Sequence, residues 1–256
     1  MKKTLAILLI LLATLASCKN MQTFTVNGVS FNMIRVQGGR FNMGAQSDNL
    51  SGTNYDSKAD SDEGPVHSVR LRTYFIGETE VTQELWQAVM GSNPSCFTGD
   101  SLPVEQVSWV DVQNFLLQLN RLTGRRFRLP AESEWEYAAR GGKKSHDYKY
   151  SGSDTIANAA WYRGNSDNHS HPVKTKSANE LGLYDMSGNV WEWCQDWYDD
   201  YSSDAQTTPT KPSEYSVRVH RGGSWCDLPG CCRVSYRGNY GPNYGDKDLG
   251  FRLLLR

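Results

Sequence analysis

Cysteine and carboxylate spacing supplies the reactive candidates of this 256-residue chain. Cys18 stands alone near the N-terminus, whereas Cys96, Cys194, Cys226, Cys231 and Cys232 lie in the body of the sequence. Cys226 and Cys231 are five positions apart, and Cys232 follows at once. An export segment places these thiols in an oxidising compartment, where cysteines tend to pair and an odd set leaves one over. Cys96, in the loop NPSCFTGD, is the expected free thiol. A second constellation, Asp185-Met186-Ser187-Gly188-Asn189-Val190-Trp191-Glu192, puts carboxylate and carbonyl oxygens in one tight turn. Calcium takes about six to eight such oxygens, so the turn is a candidate calcium site. The other reading is a rigid, metal-free turn whose Glu192 accepts backbone N–H groups. His169-x-His171 has metal-like spacing but no third ligand, and reads as a solvated loop. Gly222-Gly223-Ser224-Trp225-Cys226 lacks the closing glycine of a nucleophile elbow, so a serine hydrolase is not expected.

The elements that must hold these residues are short. Residues 1–17 carry Lys2 and Lys3 before the apolar run Leu5–Leu12, a secretory signal too brief to stay as a spanning helix. Leu15-Ala16-Ser17-Cys18 resembles a bacterial lipobox, in which Cys18 is acylated and becomes the new N-terminus. Several acyl chains anchor stably where one is marginal. Residues 18–30 are then a lipidated tether and 31–256 one domain, with no Pro/Ser-rich linker to divide it. A net charge of −1 with both signs interspersed gives no basic stripe, which excludes nucleic acid as a partner.

Phe31–Val36, a turn at Gly38-Gly39 and Arg40–Met43 read as a hairpin, with His67–Phe75 as a further partner. Residues 46–63 read as a solvated acidic loop. Thr82 should cap a first helix that Gly91 ends; Ser108 and Asp111 should box a second that Gly124 ends. A third, Glu132–Arg140, begins after Ala131, a poor cap. Beyond Gly141, short strands and turns dominate. Pattern alone gives α+β with many loops. Trp191 and Trp193 alternate onto one face and read either as core or, with Trp197, Tyr198, Tyr236, Tyr240 and Tyr244, as a groove. The Asn239–Asp246 loop is the favoured recognition surface.

Seven motifs in fixed order carry a family resemblance: MIRVQGGRFNMG at Met33, EVTQELW at Glu80, LPVEQVSWVDVQNF at Leu102, RLPAESEWEYAARGG at Arg128, NELGLYDMSGNVWEWCQDW at Asn179, RGGSWCDLPGCCR at Arg221 and GFRL at Gly250. Together they resemble the formylglycine-generating enzyme (sulfatase-modifying factor) family. The resemblance implies a compact, loop-rich α+β fold, C-type-lectin-like, with little regular secondary structure. It implies calcium at Asp185, Gly188, Val190 and Glu192. Enzymes of the family bind copper(I), a soft ion suited to sulfur, through two cysteines five apart. Cys226 and Cys231 match that separation, although the first lies one residue nearer RGGS and Pro229-Gly230 precedes the second. A second register aligns Cys232-Arg233 with non-catalytic lipoprotein members and implies a Cys194–Cys232 disulfide. Two functions follow. One is an envelope lipoprotein that binds a protein or glycan partner without catalysis. The other is a copper- and oxygen-dependent oxidase that converts a sulfatase cysteine to formylglycine.

Overall fold

The computed structural model describes residues 20–202 and 216–256. The signal segment and Cys18 lie outside the described residues. An Asn27-Gly28 pair begins the fold. Both residues take positive φ, 48° and 90°, the backbone of a two-residue hairpin turn matched to strand twist. They join β1 (Met21–Val26) to β2 (Val29–Val36), with Val26 opposite Val29. The segment expected as a tether therefore contains a strand from Met21 onward. Phe24 fastens it, meeting Phe31 and Phe127 at ring separations of 5.6 and 5.1 Å.

The expected hairpin across Gly38-Gly39 does not form. β2 pairs instead with β5 (Tyr74–Gly77), Ile34 opposite Ile76, while β3 (Arg40–Met43) pairs with β4 (His67–Arg70), Phe41 opposite Val69. The stretch from His67 onward thus serves two sheets. Gly38 marks the crossing. A Cβ there would come within 2.5 Å of the Leu71 carbonyl oxygen and 2.6 Å of the Thr73 nitrogen, so the close approach of the two backbones requires glycine. β10 (Leu254–Leu255) completes the first sheet in the order β1-β2-β5-β10. The second four-stranded sheet runs β8-β7-β6-β9, from β6 (Trp191–Trp197), β7 (Arg218–Arg221), β8 (Arg237–Tyr240) and β9 (Leu249–Gly250). Only the β6–β9 pairing in it is parallel.

Helices follow their local signals. Thr82 accepts from the Leu85 amide to open α1 (Gln83–Met90), and Gly91 ends it with φ 78°. Ser108 and Asp111 form the capping box of α2 (Trp109–Thr123), and Gly124 closes it with φ 65°. α3 (Glu132–Ala139) starts at uncapped Ala131. Other groups take over: Glu134 accepts from the Ala131 amide at 2.8 Å, and Asp196 of β6 accepts from the Glu132 amide at 2.8 Å. A single turn, α4 (Ile156–Ala159), follows.

Two apolar clusters fill the interior, one around Phe115, Trp193 and Phe251, the other around Trp135, Tyr137 and Val219. Trp193 is fully buried and donates to the Val107 carbonyl at 3.0 Å; Trp191 packs edge-on against His220. Of the two readings of these tryptophans, core packing is the one realised. Four buried arginines run through the same interior. Arg221 meets Glu136, Arg233 meets Glu63 and Arg252 meets Glu192, each at 2.5 Å, and Arg237 meets Glu132 at 2.7 Å.

Candidate functional site

The RGGS segment leaves β7 through two left-handed glycines, Gly222 with φ 101° and Gly223 with φ 72°. A Cβ on Gly223 would lie 2.8 Å from both the Cys231 carbonyl oxygen and the Cys232 Sγ, so this turn presses directly on the 3-10 turn Pro229–Cys232. The segment between them carries Ser224, Trp225, Cys226 and Asp227. Trp225 is clamped by its amide to the Asn189 carbonyl, by Ser166 Oγ donating to its own carbonyl and by an edge contact with Phe97. That clamp fixes Cys226 beside the loop preceding β9, which supplies Asp248.

Here carboxylates and sulfur converge. Cys226 Sγ donates to Asp248 Oδ2 at 3.1 Å and lies 3.3 Å from Ser224 Oγ. Ser224 Oγ is 2.6 Å from Asp227 Oδ2 and 2.8 Å from Asp248 Oδ2. Burial pushes the Cys226 thiol up to about 12, with the Asp248 carboxylate adding to the effect and Ser224 opposing it. Burial also raises the Asp248 carboxyl. Neither Asp227 nor Asp248 was singled out in the sequence. The only signal was the position of one beside Cys226 and of the other two residues before GFRL.

Cys231 is not part of this hydrogen-bonded set. Its thiol is raised by burial and by Asp227, and is hydrogen-bonded to Tyr236. Among the described residues, no disulfide or hydrogen bond joins Cys226 to Cys231, and all five described cysteines are free. Cys194 and Cys232 are not brought together either. Cys194 is buried in the Trp135 cluster, whereas Cys232 packs with Tyr150 and Ala159 in a separate one, so the implied bridge is not formed. Cys96 is exposed.

The Asp185 turn is built. Asp185, with φ 57°, Gly188, with φ 74°, and Asn189, with φ 64°, bend the chain tightly. The Gly188 amide bonds the Gly222 carbonyl at 2.8 Å, which joins this turn to the RGGS turn. Glu192 is held by arginine and tryptophan. Arg252 donates to both of its oxygens at 2.5 Å, and Trp135 Nε1 donates to Oε2 at 2.7 Å. Glu80, which the sequence reading passed over, is the carboxylate left unsatisfied: it is buried, and its Oε1 has no partner. Burial, with Asp185 and Glu192 nearby, raises Glu80 well above its ordinary range. Burial raises Asp185 to about 6, opposed by the Lys174 amide that it accepts.

His169 and His171 are half-buried and hydrogen-bonded within their loop rather than freely solvated. His171 stacks on Trp161 at 3.7 Å and bonds the Ser166 carbonyl, and His169 bonds the Ser170 carbonyl.

Over residues 19–256 the chain matches the family described as the sulfatase-modifying factor enzyme 1-like domain. Chaperone protein LppX of Paenibacillus barcinonensis is 32% identical, with 99% of each chain covered. The formylglycine-generating enzyme of Streptomyces coelicolor is 31% identical, covering 86% of this chain and 87% of its own. Inactive C-alpha-formylglycine-generating enzyme 2 of Bos taurus is 26% identical over 88% of each. Among solved structures, Treponema denticola variable protein 1 superposes with a TM-score of 0.79 at 36% identity, covering 92% of this chain and 99% of its own.

Proposed function

We propose, on the premise that this chain belongs to the sulfatase-modifying factor enzyme 1-like family and has its mixed, loop-rich fold, that it is a non-catalytic envelope module that binds a protein or glycan partner. One observation supports the reading: the two cysteines at the family's copper spacing make different hydrogen bonds, in acidic surroundings. Cys226 is held by Asp248 and Ser224, Cys231 by Tyr236, and both thiols are raised. A copper(I) pair needs two facing thiolates, and a reactive cysteine needs a lowered pKa and electropositive surroundings. Carboxylates supply the opposite field. The names of two relatives, a chaperone and an inactive enzyme, accord with such a role.

The proposed contact surface is the loop from Asn239 to Asp246. Tyr240 and Tyr244 stand there 38% and 41% exposed with rings 4.3 Å apart, a rigid aromatic pair suited to a peptide or a sugar face. Cys18 is proposed as the lipid anchor. Calcium is proposed at the Asp185 turn, with Asp185, the carbonyls of Gly188 and Val190, and Glu80 in place of Glu192. Support comes from the unpartnered Glu80 oxygen beside Asp185.

The deciding experiment incubates the protein with copper(I), oxygen and a C-x-P-x-R peptide, with Cys226→Ser/Cys231→Ser as control. The expected result is no conversion of the peptide cysteine to aldehyde. Conversion that disappears in the double variant would establish the oxidase instead.

A further inference from the structure

We infer that Cys226, Asp227 and Asp248 form a mixed thiolate–carboxylate site for a divalent ion of the zinc class, distinct in ligands and chemistry from a two-cysteine copper site. The three donor atoms, Cys226 Sγ and one oxygen from each aspartate, all lie within 4.8 Å of one another. Among the described residues this is the only such group of three. Zinc bound tetrahedrally at about 2.3 Å from sulfur and about 2.1 Å from oxygen sets those atoms about 3.6 Å apart, which small side-chain rotations reach from here. All three residues are partly exposed, so a fourth position stays open to water or a ligand.

Two independent features point to a missing cation. Ser224 has one hydroxyl proton, yet its oxygen lies within 2.8 Å of a carboxylate oxygen of both Asp227 and Asp248. One of these contacts needs either an extra proton or a metal. Glu105 provides the second. It is fully buried, its Oε2 has no partner, and it lies close enough to Asp248 and Asp246 to feel both charges. Among the described residues, no lysine or arginine forms an ion pair with Asp227, Asp248 or Glu105. Acidic groups gathered in one place without a counter-charge favour a divalent ion, whose binding displaces protons from its ligands. Binding therefore releases the Cys226 thiol proton, and the proton shared around Ser224, to solvent. One sulfur with carboxylate oxygens suits zinc and its cobalt surrogate better than copper(I), which favours sulfur alone.

Cobalt(II) titration of the purified protein tests the site, because a bound thiolate produces a sulfur-to-cobalt charge-transfer band. The band should appear with release of protons and be displaced by zinc. It should vanish in Cys226→Ser and persist in Cys231→Ser and Cys232→Ser. Asp248→Asn and Asp227→Asn should each weaken binding at least about tenfold, since even outer-shell changes cost about 10–100-fold. The two aspartate variants provide for one failing to fold, which urea unfolding reports. Absence of the band in folded protein overturns the inference. So does a band that needs Cys231 and is indifferent to both aspartates, the signature of a thiolate pair.

Discussion

Arg252 grips Glu192 through both carboxylate oxygens at 2.5 Å, at a point where neither side chain is exposed to solvent. The pair ties the third residue of the GFRL motif to the middle of WEW. The same arginine also donates to the Gly77 and Tyr184 carbonyls, so one side chain binds both sheets and the Asp185 turn. Removing one partner leaves an uncompensated buried charge. Glu192→Gln or Arg252→Met should cost about 3–5 kcal/mol in urea unfolding, and the double replacement less than the sum. Additive losses would show that the pair is not coupled.

Ala131 leaves the start of α3 without a side-chain cap, although Glu134 and Asp196 satisfy the neighbouring amides. Ala131→Ser should add about 1 kcal/mol. Thermal melting of the two proteins checks the sign; no gain would mean that Asp196 already fulfils the role.

Acidity should affect this protein in an unusual direction at two carboxyls. Asp185 rises from 3.8 to about 6 and Glu105 from 4.5 to about 7, each chiefly through burial. A raised acid holds its proton in the folded state, so its contribution is full below about pH 4 and is lost as pH climbs through about 6 to 7. Glu136 runs the other way, because Arg140 and Arg221 outweigh its burial. Comparison with Asp185→Asn isolates the effect. Wild type should lose stability relative to the variant between about pH 4 and 7. Calcium should recover that loss if it binds there. A constant difference across the range would refute the assignment.

Glycine is required at Gly38 by contact and at Gly223 by contact together with φ 72°. Alanine at either should cost about 1–3 kcal/mol or more, from overpacking against backbone and, at Gly223, left-handed strain. Gly230→Ala, where a Cβ meets nothing within 4 Å, is the neutral reference. Equal midpoints for all three in denaturant titration would contradict this account.

Local chemistry was the legible part of the sequence. Thr82, Ser108 with Asp111, Gly91 and Gly124 each act within a few residues of themselves, and the helices they bound are where spacing placed them. The motifs around WEW, RGGS and GFRL were equally readable, and with them the family and its loop-rich fold. Strand pairing was not, because β2 and β3 choose partners more than twenty residues away and the switch depends on backbone contact at Gly38. The Asn27-Gly28 turn was a readable hairpin signal that the expected tether obscured. Asp248 and Glu105 could not be recognised from spacing, since only the folded chain brings Asp248 to Cys226 and Glu105 within reach of the Asp248 charge.

β10 lies antiparallel to β5, with Leu254 opposite Ile76, and Arg128 exchanges both backbone hydrogen bonds with Leu254. One side of β5 is therefore closed by residues that lie far along the chain from it. Without β10, β5 keeps β2 on one side but bares its other edge, and an open strand edge is where chains associate wrongly. Completing this sheet depends on contacts between residues distant in sequence, the kind of pairing that slows folding.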